Sequence, residues 1–135
     1  MPTTDDIGSK LRVLVVDDDE GIRTLLEVTT SLDARFDLVG AAGSGEDALA
    51  AIVAAGDAGV DVVLLDVTLP DRDGIELVQD VRAAAPRAKI ALFTGWTDDD
   101  TLERARLAGA DAVFSKDGDP KGLLDGLAEL LHRDS

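Results

Sequence analysis

The sequence predicts an α/β fold, a single doubly wound parallel sheet of five strands with five helices, and three observations lead there. Short apolar runs alternate along the 135-residue chain with stretches whose apolar residues recur at helical spacing. One run, Val62-Val63-Leu64-Leu65, is apolar on both of its alternating faces, the pattern of a strand covered by helices on both sides. The runs also stop on polar or acidic residues, and the carboxyl ends of parallel strands are where such sheets hold ligands.

Residues 1 to about 10 are polar and without period, which reads as a flexible tail. Leu11-Arg12-Val13-Leu14-Val15-Val16 reads as the first strand and ends at Asp17-Asp18-Asp19-Glu20. A helix follows on Ile22, Leu25, Leu26 and Thr29, with Leu32 beyond, and its acidic first turn suits the positive end of the helix dipole. Phe36 to Ala42 is a weaker strand, and Ser44 is placed to cap the Ala-rich helix that follows on Ala48, Leu49, Ile52 and Ala55. Asp61 to Asp66 is the central strand, after which Pro70 and Gly74 break regular structure.

Ile75 to Ala84 is a helix on Leu77, Val78 and Val81, stopped by Pro86. Lys89 to Thr94 is the fourth strand. Thr97 then reads as the cap of a helix that starts on Asp98-Asp99-Asp100, turns Leu102 and Ala105 inward and ends at Gly109. Ala112 to Ser115 is a short fifth strand followed at once by Lys116. Asp119-Pro120 opens a last helix on Leu123, Leu124, Leu127, Leu130 and Leu131, a stripe that reads as core first and dimer surface second.

Composition narrows the function classes. With 45% hydrophobic and 30% charged residues the chain is globular, and aromatics at 3% leave an aliphatic core. A net charge of −15 argues against a surface that tracks nucleic-acid phosphates or anionic lipid, while leaving a hard divalent cation as a natural ligand. The absence of cysteine removes disulfides, thiolate metal sites and thiol nucleophiles. No run approaches a membrane span, and the N-terminus has neither a basic nor an apolar leader region, so the expectation is a cytoplasmic protein with one domain over 11–133 and no output domain.

The strand ends carry the chemistry. In a sheet of order 2-1-3-4-5, strands 1 and 3 are neighbours, which brings Asp17, Asp18 and Asp66 into one crevice. Three anions so placed either raise the pKa of one of them or share a cation, and all-oxygen donors suit Mg²⁺. Thr94 and Lys116, from strands 4 and 5, would leave room beside Asp66 for a dianionic group, the layout of a phosphoryl-transfer site. Asp71-x-Asp73-Gly74 lacks the remaining acids of a calcium loop and reads as a turn, and His132 reads as a solvated residue at a helix end.

Val15-Val16-Asp17-Asp18, Leu64-Leu65-Asp66 with Pro70 and Gly74, Thr94-Gly95 and Ser115-Lys116, in this order over roughly residues 11 to 132, resemble the receiver domain of two-component response regulators. The resemblance implies a flavodoxin-like fold of strand order 2-1-3-4-5. It implies that Asp66 is the phosphoacceptor, taking its phosphoryl group from a sensor histidine kinase or phosphotransfer protein. It also implies that Asp18, Asp66 and the Thr68 backbone carbonyl hold Mg²⁺ with Asp17 reaching it mainly through water, that Lys116 contacts a phosphoryl oxygen, and that Thr94 moves inward as the switch. The module is then a phosphorelay signalling domain rather than an enzyme, binding an unidentified downstream protein without direct contact to nucleic acid or membrane, as a monomer or weak homodimer.

The chain departs from the family pattern at Val113, where an aromatic switch residue is frequent, and at Asp117, where proline commonly follows the lysine. Lys116-Asp117 with Asp119-Pro120 looks more like receivers that carry helix-turn-helix output domains. Trp96, two residues past Thr94, is placed to shield a phosphoryl group from water. Two other classes stand beside this reading. A pseudo-receiver would act as an interaction module without phosphate, and a haloacid-dehalogenase-like phosphatase would need a second acid two residues after its nucleophile, where this chain has Thr68.

Overall fold

The computed structural model describes residues 10–95 and 98–132. Five parallel strands form one sheet in the order β2-β1-β3-β4-β5. The strands are β1 (Leu11–Val16), β2 (Phe36–Ala42), β3 (Val62–Asp66), β4 (Lys89–Thr94) and β5 (Ala112–Ser115). Between and after them run α1 (Glu20–Ser31), α2 (Gly45–Ala55), α3 (Gly74–Ala84), α4 (Asp99–Ala108) and α5 (Pro120–His132), with a 3-10 turn at Gly56–Ala58. Both the strand order and the helix number agree with the sequence reading.

Strand alternation divides the core in two. Leu14, Val16, Val63, Leu65, Ile90 and Leu92 point to the side covered by α2, α3 and α4, whereas Val13, Val15, Val62, Leu64, Ala91 and Phe93 point to α1 and α5. Each aliphatic side chain fully buried in this way contributes roughly 1.5–3 kcal/mol. Val113, the position of the frequent aromatic, packs against the α2–α4 layer as an ordinary core neighbour.

Several local expectations shift. The central strand starts at Val62 rather than Asp61, whose carboxylate instead accepts the Arg12 amide at 2.7 Å. Helix α3 starts one residue early at Gly74, because Asp73 caps it through the Ile75 amide. Thr97 lies outside the described residues, and the cap of α4 is Asp98, which accepts the Thr101 amide at 3.0 Å. On α1 only one row meets the sheet: Leu26 and Thr30 are buried, whereas Leu25 and Leu32 are 50% and 82% exposed. Leu102 likewise faces outward on α4, which seats the small Ala105 in the core with Ala108 packed beside it. Gly109 ends α4 in the left-handed conformation at φ 93°, as its position suggested.

Candidate functional site

Asp17 is the first residue beyond β1, and its amide still pairs with the Ala42 carbonyl at 2.9 Å, so the sheet itself fixes where its side chain starts. Its carboxylate is fully buried, with Oδ1 accepting the Asp19 amide at 2.9 Å. Asp19 then caps α1 through the Ile22 amide, which turns the chain sharply and leaves Asp18 exposed at the rim. Asp66 closes β3, buried to 4% exposure, with Oδ1 accepting the Thr68 amide at 3.2 Å. The loop behind it is pinned by the Gly74 amide on the Val67 carbonyl at 2.7 Å and by a bridge between Thr68 and Asp73.

Gly74 has to be a glycine. A Cβ there would sit 2.0 Å from the Asp66 carbonyl oxygen, a contact with backbone that no rotamer relieves. On β5, Lys116 follows Ser115, and its amide pairs with the Thr94 carbonyl at 2.9 Å. Its ammonium reaches back across the sheet end to lie 2.8 Å from Asp17 Oδ2 and 3.2 Å from Asp66 Oδ2, over the Phe93 ring.

One carboxylate oxygen from each of Asp17, Asp18 and Asp66 falls within 4.8 Å of the others. Burial pushes the Asp66 carboxyl up to about 6; the Thr68 amide and the Lys116 charge pull it down, and the Asp17 charge adds to the rise. Lys116 is held above the usual lysine range by its two carboxylate neighbours, which outweigh its own burial. Asp17 Oδ2 is buried, and the Lys116 ammonium at 2.8 Å is the cation that faces it. Three carboxylates so gathered, two of them buried and sharing a single ammonium, are an all-oxygen donor set that fits a hard divalent cation with waters completing its shell.

The structure thus brings Asp17, Asp18, Asp66 and Lys116 together. Thr94 lies buried at the end of β4, opposite Ser115 on β5 and one strand away from Asp66. Thr68 adjoins the cluster, its amide donating to Asp66 Oδ1, and Trp96 falls outside the described residues. His132 is exposed at the end of α5, as expected.

Two supports were not read from the sequence. Arg23 on α1 donates from Nη1 to the Asp17 carbonyl at 2.7 Å. Asp71, taken only as part of a turn, accepts the Gly45 and Glu46 amides at 2.9 and 3.0 Å, tying the loop after β3 to the start of α2. A cap supplied from 26 residues away leaves no local signal.

Comparison with known proteins gives a consistent set. A family described as the response regulator receiver domain matches residues 13–128. The chain is 39% identical over 107 residues to the DNA-binding transcriptional activator DevR/DosR of Mycobacterium tuberculosis, covering 79% of this chain and 48% of that protein. It is 28% identical over 125 residues to the response regulator VraR of Staphylococcus saprophyticus, covering 93% of this chain and 58% of that protein. The chain therefore spans about half the length of these curated relatives. Among solved structures, a CheY-like response regulator receiver domain protein from Methanospirillum hungatei JF-1 superposes with a TM-score of 0.80 at 29% identity, covering 93% of this chain and 96% of that one. The BeF3-activated receiver domain of DrrB, a Thermotoga maritima protein, superposes with a TM-score of 0.76 at 27% identity, covering 92% and 99%. No described helix is long and apolar enough to cross a membrane.

Proposed function

This chain belongs to the response regulator receiver family, and from that premise we propose that it accepts a phosphoryl group on Asp66 from a phosphohistidine of a sensor kinase or phosphotransfer protein. The observation that carries the reading is the convergence of Asp17, Asp18, Asp66 and Lys116 from the carboxyl ends of β1, β3 and β5.

Asp66 is the residue suited to act as nucleophile. It is the acid at the end of the central strand, and with its carboxyl at about 6 it remains roughly nine-tenths ionised at pH 7. An Asp66 oxygen would form the bond to phosphorus as the phosphorus–nitrogen bond of the donor breaks, the histidine ring nitrogen keeping that electron pair. Lys116 already spans Asp17 and Asp66, so a small movement of its ammonium places a fixed positive charge on a phosphoryl oxygen. Asp17 and Asp18, with Asp66 and the Thr68 carbonyl, would hold Mg²⁺. When bound, that ion supplies charge neutralisation for the attacking carboxylate and the incoming phosphoryl oxygens. Thr94 would donate its hydroxyl to the added group, and the resulting movement at the end of β4 would be the change a downstream protein senses.

Intact mass after incubation with Mg²⁺ and acetyl phosphate tests this. One added phosphoryl group is expected for the wild type and none for Asp66→Asn or in EDTA. A folded, Mg²⁺-binding wild type that stays unmodified and also fails to bind beryllofluoride would instead be a pseudo-receiver.

A further inference from the structure

We propose that Arg23 is a positioning residue for the acidic cluster, acting through the main chain of Asp17. The inference rests on the reading of that cluster as a divalent-cation site.

Arg12, Arg35, Arg72, Arg82, Arg104 and Arg106 each lie within 4 Å of a carboxylate, the usual use of arginine on an acidic surface. Arg23 makes no such pair among the described residues. Its Nη1 is given to a carbonyl, that of Asp17, at 2.7 Å. The surroundings are shaped for this reach. Gly43, in the turn between β2 and α2, leaves the passage open: a Cβ there would lie 2.9 Å from Arg23 Nη1 and 3.5 Å from its Cζ.

The Asp17 peptide is thereby held on three sides. Its amide is on Ala42, its carbonyl on Arg23, and its side-chain Oδ1 on the Asp19 amide. This last bond occupies Oδ1 and leaves Oδ2 as the oxygen turned to the Lys116 ammonium, which Asp66 shares. Arg23 thus sets the orientation of the donor without occupying either of its oxygens, the role outer groups play at metal sites generally.

Two effects of removing Arg23 have opposite signs. If the guanidinium acted only as a nearby positive charge, its loss would make the cluster more negative and tighten cation binding. If it acts by orientation, its loss weakens binding even though the local charge becomes more negative. The sign of the change separates the two.

The test is calorimetric titration of the full chain with Mg²⁺, alongside the Mg²⁺ dependence of phosphorylation by acetyl phosphate. Arg23→Ala is expected to bind Mg²⁺ about 10-fold more weakly, the usual size of an outer-group effect. Its rate at saturating Mg²⁺ should be near that of the wild type, a split that general destabilisation does not produce. Arg23→Lys should recover part of the affinity. Gly43→Ala, which keeps the arginine but crowds its guanidinium, should weaken binding by a smaller factor and serves should Arg23→Ala fail to fold. Unchanged or tighter binding in Arg23→Ala, or in Gly43→Ala in its place, overturns the role of Arg23 alone. A wild type that does not bind Mg²⁺ overturns the cation-site reading and the inference with it.

Discussion

The two ends of the sheet are both rich in aspartate, and they use it in opposite ways. At the amino end each acid finds a donor of its own. Asp61 accepts the Arg12 amide at 2.7 Å, and Asp111 accepts the Ile90 amide and Arg82 Nη2, both at 2.8 Å. Arg82 continues to the Ala88 and Gly109 carbonyls, so one side chain ties α3 and the loop before β4 to the end of α4. At the carboxyl end Asp17, Asp18 and Asp66 are gathered on one another, with Lys116 shared between two of them. Acids that stitch strand ends are spread out and individually satisfied. Acids gathered on one another oppose the fold that holds them, as the cation site proposed above requires, and that contrast is one that burial alone does not draw.

The largest effect expected at the carboxyl end is a steric one. Gly74→Ala drives a Cβ into the Asp66 carbonyl, and thermal unfolding should show a loss of at least about 3 kcal/mol or no folded protein. Wild-type stability in that variant would mean that the loop is not packed against β3.

Next comes a substitution that should stabilise. Asp66 has its carboxyl raised from 3.8 to about 6, so the folded state prefers its protonated form. At pH 7 its ionisation therefore opposes folding, and that opposition fades as the pH falls from about 6 towards 4. Asp66→Asn cannot ionise and should be more stable than the wild type at pH 7 in EDTA, on the order of 3 kcal/mol for a shift of this size. The gap should close towards pH 4, and Mg²⁺ should raise the midpoint of the wild type but not of the variant. A destabilised Asp66→Asn would place Asp66 with the structural acids.

Asp111→Ala is the counterpart at the amino end, with the opposite sign. It leaves the Ile90 amide and Arg82 without their carboxylate, and should cost about 2 kcal/mol. Being at the far end of the strands, it should leave Mg²⁺ affinity unchanged.

This contrast also explains what the sequence discloses and what it hides. The sheet was legible because apolar runs such as Val13–Val16 and Val62–Leu65 serve two helical layers and can do little else. The acids were legible because Asp66 ends its strand and Asp17 directly follows its own, so topology alone carries the two to the same rim. Side chains whose partners are remote were not. Asp71 capping α2 and Arg23 reaching the Asp17 carbonyl depend on how loops fold back, and neither has a periodicity or a neighbour to announce it. Leu25, Leu32 and Leu102 misled for a different reason. A helix on a sheet edge buries a narrow row, and a residue at the right spacing can still lie beyond it.

The smallest effect expected tests an acid that belongs to neither end cleanly. Asp73 caps α3 through the Ile75 amide and accepts Arg104 Nη2 from α4, both at 2.8 Å. Burial pushes its carboxyl up, but the Arg104 and Ile75 bonds outweigh this and hold it below the usual range. Its sign is thus that of the structural acids: its contribution is complete above pH 4 and is lost as the pH falls through the lowered value, opposite to Asp66. Arg104 is 46% exposed, so Arg104→Met should lower the thermal midpoint only slightly, since the cap survives and an exposed pair is screened by water. That drop should shrink further in 1 M salt, where screening removes most of an exposed pair. A large drop that persists in salt would instead show that the link from Asp73 to α4 works as the amino-end network does, as a structural tie between helices.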